Sequence, residues 1–64
     1  MKKADATRSF AYWGNQIYSP LGKHNARAEQ MRGYWAKAID SGYYKKLPND
    51  ALAADKAVEK RYKR

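Results

Sequence analysis

The chain has no cysteine and a single histidine, His24. The first absence rules out disulfide staples and thiolate zinc sites, and the second leaves no His-based metal cluster and no nucleophile–base triad. Acidic residues are also scarce. The six present are Asp5, Glu29, Asp40, Asp50, Asp55 and Glu59, and no two are spaced for acid/base or metal chemistry. No glycine-rich phosphate loop occurs, and Ser19 and Ser41 fall at turn positions that suit capping better than nucleophilic attack. The reading is therefore non-enzymatic, with no cofactor and no metal. No apolar run approaches the roughly 18 residues of a membrane span. Met1-Lys2-Lys3 starts like a signal peptide, but Ala4 to Arg8 follow where an apolar stretch would be needed. A cytoplasmic location is expected, and lack of cysteine fits a reducing compartment.

Large aliphatic side chains are few as well. Only seven of the 64 residues are Leu, Ile, Val or Phe, whereas six are Tyr and two Trp. A single domain of this length buries only about 60% of the surface its unfolded chain exposes. Without a staple its core rarely yields more than about 3 to 5 kcal/mol. The aromatics must therefore supply much of the core, and their polar tips suit them to contact surfaces too.

What the chain has in excess is positive charge. Fourteen Lys and Arg against six Asp and Glu leave a formal net charge of +8. Such a balance favours nucleic acid or another acidic partner, and disfavours a surface tuned for solubility alone, which mixes signs more evenly.

Periodicity predicts an all-α fold, a small bundle of three short helices in one domain over residues 1–64, with 1–4 and 63–64 frayed. In the first helix Ala6, Phe10, Trp13, Gly14 and Ile17 form the apolar stripe, Asp5 or Thr7 caps the start, and Arg8, Tyr12, Asn15 and Gln16 face outward. Ser19-Pro20-Leu21-Gly22 makes the first turn. The second helix runs from about Asn25, its cap, to Ser41, with Gly42 as the residue that ends it. Its stripe is Ala28, Met31, Trp35, Ala38 and Ile39, with Gly33 on the opposite face. His24 projects onto that stripe when the helix is extended backwards, and Glu29 is badly spaced to reach it. After a break at Tyr43 to Pro48, Asn49 or Asp50 caps a third helix whose stripe, Ala51, Ala54, Val58 and Tyr62, is narrow. Such a helix should fray unless its basic face is neutralised.

Two surfaces carry candidate chemistry. Tyr43, Tyr44, Lys45 and Lys46 combine rings and cations, the pairing used to stack unpaired bases and neutralise phosphates; the alternative is one core tyrosine beside a solvated loop. Lys56, Lys60, Lys63 and Arg64 form a basic stripe on the third helix, diluted by Asp55 and Glu59, that can follow a phosphate backbone. The expected function is contact with nucleic acid or a nucleoprotein particle through these residues. The rival is a protein-interaction module in which Arg8, Tyr12, Arg27 and Tyr34 dock on an acidic protein surface, since Tyr and Arg are hot-spot types. Membrane attachment is the least favoured, because the third helix lacks bulky residues to insert. Trp13 and Trp35 fall mid-stripe and read as core anchors.

Arg32-Gly33-Tyr34-Trp35-Ala36, followed by Gly42 and Pro48, resembles the first helix of the ribosome modulation factor family. That resemblance implies a small basic protein that binds ribosomal RNA. It covers under a third of the chain. The glycine spacing differs from the family's, its paired Gly-Trp element has no counterpart near Lys56 to Arg64, and no residue role is carried over.

Overall fold

A computed structural model describes residues 1–18 and 21–63. Helix α1 spans Lys3–Asn15, α2 spans Ala26–Ser41 and α3 spans Ala51–Tyr62, with a 3₁₀ turn at Tyr43–Lys46 between the last two. The described residues form no strand, only a lone antiparallel bridge between Tyr18 and His24. The fold is a small all-α bundle.

The start of α1 differs from the capping expected at Asp5 or Thr7. Lys2 is the extended residue that precedes the helix, and its carbonyl accepts the N–H groups of Asp5 and Ala6 at 3.1 Å. Lys3 and Ala4 are good helix formers, so the helix extends back past Asp5. Asp5 then lies in the first turn, where a carboxylate suits the positive end of the helix dipole. Ala6 is fully buried, Phe10 and Trp13 pack against the core, and Ile17 is buried just beyond the helix.

The first turn is held across its base. Asn25 donates its backbone N–H to the Ile17 carbonyl at 2.7 Å, and Gly22 takes φ 77°, a value L side chains rarely adopt. Ser19 and Pro20, expected in this turn, lie outside the described residues. Asn25 caps α2 as expected, its side chain accepting from the Ala28 N–H at 3.1 Å. Gly42 ends the helix at φ 81°. Because Asn25 is extended, the helical phase stops there, and the projection of His24 onto the apolar stripe fails. His24 is instead exposed, tilted against the Tyr18 ring and bonded to Glu29, the carboxylate expected to be out of reach. A helical wheel cannot anticipate that contact, because residue 24 is not on the helix.

Helix α2 is the centre of the bundle. It packs against α1, α3 and the 3₁₀ turn, with Ala28, Met31, Trp35 and Ala38 buried. Asp50 caps α3 by accepting from the Leu52 N–H at 3.1 Å. Ala54 and Val58 are buried against the core, and Leu47 closes it from the loop, assisted by a hydrogen bond from the Met1 ammonium to the Leu47 carbonyl at 2.8 Å. Ala51, expected on the α3 stripe, is exposed. Tyr34, Tyr43, Tyr44 and Tyr62 pack around this thin core, so the aromatics replace the missing aliphatics.

Candidate nucleic-acid interface

The left-handed Gly42 folds the chain back beneath the end of α2, and the 3₁₀ turn that follows meets the last turn of α3. Four observations define the junction. The Tyr43 ring sits edge-on to Tyr62 with centroids 6.1 Å apart, and the Arg61 guanidinium lies 4.9 Å from the Tyr43 centroid. Tyr62 in turn stacks on Tyr34 at 6.3 Å, and its hydroxyl shares a hydrogen bond of 3.2 Å with Ser41 Oγ. Aromatic packing and cation–π attraction together tie Tyr43 of the turn to the last turn of α3.

The turn carries Lys45 and Lys46, and the end of α3 that meets Tyr43 carries Lys60, Arg61 and Lys63. All five are exposed, and Lys56 lies exposed one turn earlier on α3. Among the described residues, Lys45, Lys46, Lys56, Lys60 and Lys63 have no ion-pair partner. Arg64 lies outside the described residues.

The two acidic residues expected to dilute the α3 stripe are both turned to other work. Asp55 Oδ1 accepts from the indole N–H of Trp13 at 3.2 Å and of Trp35 at 3.0 Å. Glu59 pairs with Arg27 at 2.6 Å. Asp55 is thereby hydrogen-bonded and Glu59 ion-paired towards the other helices, while Lys56, Lys60 and Lys63 stay exposed.

The tyrosines of the expected cluster are placed differently from the lysines. Tyr43 and Tyr44 are both half-buried against the core, and Tyr43 is flanked by Arg61 and Tyr62. Arg61 had no place in the sequence reading. Its one signal there was its position between Lys60 on the basic stripe and Tyr62 on the apolar one.

The rival set is divided. Arg8 and Tyr12 are exposed and line a groove between α1 and α3. Arg27 lies 5.9 Å from the Trp13 ring centroid while bonded to Glu59, and Tyr34 is stacked on Tyr62. Leu52 joins Arg8 and Tyr12 in the groove although it belongs to neither expected surface. A bulky residue off the apolar stripe was the sequence signal for it.

Among the described residues no group of three or more His, Asp or Glu is placed to hold a metal ion, and no helix is long and apolar enough to cross a membrane. No family model matches the chain, and neither the curated proteins nor the solved structures contain a match to it.

Proposed function

We propose that the protein binds nucleic acid, alone or within a nucleoprotein particle, by neutralising backbone phosphates, and that it performs no catalysis. The observation that supports this reading is the contact of Arg61 with Tyr43, which joins the turn that carries Lys45 and Lys46 to the end of α3 that carries Lys60 and Lys63. A group of unpaired lysines on a chain of net charge +8 releases condensed counterions when it meets a polyanion, and that release drives binding. Because Tyr43 is already engaged by Arg61 and Tyr62, the binding we propose is dominated by phosphate contacts, with base stacking secondary. Such binding tolerates many sequences and suits a cytoplasmic protein that meets RNA or DNA.

The test is titration of a mixed-sequence single strand at several salt concentrations. Affinity should fall steeply with salt, and the double replacement Lys45→Ala with Lys46→Ala should reduce the slope of log K against log salt by about one to two. Failure to bind either RNA or DNA at low salt would sink the proposal.

A further inference from the structure

Given the phosphate binding proposed above, on which this step rests, we propose that the ligand of the basic segments is a double helix, met along its paired backbones, in preference to an unpaired strand. Recognition of an unpaired strand combines cations with rings whose faces are open to bases. Here the rings beside the lysines are occupied. Tyr43 has the Arg61 guanidinium 4.9 Å from its centroid and Tyr62 edge-on at 6.1 Å, and Tyr44 packs against the core. Tyr62 is stacked on Tyr34 at 6.3 Å and hydrogen-bonded through its hydroxyl to Ser41. The exposed rings, Tyr12 and Tyr18, belong to α1 and the turn after it, and neither lies on a basic segment.

The cations are left open. Lys56, Lys60 and Lys63 are exposed and have no ion-pair partner among the described residues, and their i, i+4, i+7 spacing puts them on one side of α3. At about 1.5 Å per residue the row is about 10 Å long. Over that length a duplex presents about six phosphates and a stacked single strand about three, because the two strands together carry one charge per roughly 1.7 Å of axis. Each phosphate neutralised also releases more counterion from a B-form duplex, about 0.9 against about 0.7 from a single strand. A row of charges held on a helix therefore gains more from the denser, preorganised polyanion. With the neighbouring rings engaged inside the protein, base stacking does not offset that gain in favour of the strand.

The experiment titrates the full chain into fluorescein-labelled duplexes of about two helical turns and one mixed sequence, one of DNA and one of RNA, and into the separate strands of each, by fluorescence anisotropy at several salt concentrations. At low salt at least one duplex should bind about fivefold or more tightly than its own strands, and its slope of log K against log salt should be steeper by a factor of about 1.3. Preference for the DNA duplex, the RNA duplex or both supports the assignment and identifies the source. Lys56→Ala with Lys60→Ala alters exposed side chains, so the helical spectrum should hold while the duplex slope falls by about one to two. Strands that bind as tightly as their duplexes, or a duplex slope unmoved by the double replacement, would overturn the double-helix assignment and leave phosphate binding standing. Absence of binding to every probe at low salt would remove both.

Discussion

Trp13 and Trp35 donate their indole N–H groups to the same atom, Asp55 Oδ1, at 3.2 and 3.0 Å. One carboxylate oxygen on α3 therefore ties together the two largest side chains of α1 and α2. Trp35 is fully buried and Trp13 partly so, and an indole N–H in such a place needs a partner. Asp55 answers both.

Removing that acceptor should destabilise the bundle more than any other single polar change. Hydrogen bonds to a charged group contribute about 1.5 to 3 kcal/mol each, and two that share one oxygen of a half-exposed carboxylate add up to less than twice that, so Asp55→Ala should cost about 2 to 4 kcal/mol. Asp55→Asn keeps a neutral acceptor and should cost about half as much. Urea unfolding followed by tryptophan fluorescence reads both; a cost under about 0.5 kcal/mol for Asp55→Ala would mean that the shared acceptor holds nothing together.

Trp35→Ala tests the core itself. Truncating a buried tryptophan costs about 3 to 5 kcal/mol, which is comparable to the whole stability expected of an unstapled chain this short. The variant should lose most of its helical signal at room temperature. A cooperative thermal transition barely moved from that of the parent would show that α2 does not depend on this side chain.

The glycines of α2 should respond in opposite directions. Gly42 sits at φ 81°, so Gly42→Ala should cost about 1 kcal/mol. Gly33 is mid-helix and exposed, and a Cβ built there meets nothing within 4 Å, so Gly33→Ala should stabilise by about 0.5 to 1 kcal/mol. Thermal denaturation of the two variants reports the signs. A stabilised Gly33→Ala that binds single strands more weakly would reveal close backbone approach by the ligand at α2.

On α3, Lys60→Ala with Lys63→Ala should weaken single-strand binding and flatten its salt dependence, as replacement of Lys45 and Lys46 should. Tyr43→Ala should act differently. Its ring lies between Arg61 and Tyr62, so its loss should lower the melting temperature and loosen the junction, with affinity falling in step with the folded population. Loss of affinity in a Tyr43→Ala protein of unchanged stability would instead indicate that the ring stacks on a base.

Much of the bundle was legible because it rests on local chemistry. Asn25 and Gly42 bound α2 through a cap and a left-handed residue that depend only on neighbours a few positions away. The stripe Ala28, Met31, Trp35 and Ala38 follows from the helical period. The same locality explains the outward placement of Lys56 and Lys60, which lie opposite Ala54 and Val58 on α3.

Contacts between elements were decided by the tertiary structure. Periodicity puts Asp55 beside the apolar stripe of α3 and reads as dilution of a basic face. Only the approach of α1 and α2 presents it with two indole N–H groups and makes it, half-buried, a link between three helices. Glu59 looks equally acidic in sequence until Arg27, on α2, reaches it across the interface. His24 meets Glu29 because an extended residue breaks the helical phase between them.

The sequence by itself determined that this protein is helical, strongly basic and short of aliphatic side chains, since those properties belong to composition and to residues within a turn or two of one another. The tertiary structure decided which charges remain open and which apolar side chains remain wet. Whether a carboxylate accepts an indole N–H or a leucine lines a groove depends on how helices distant in sequence cross, and no local period encodes that crossing.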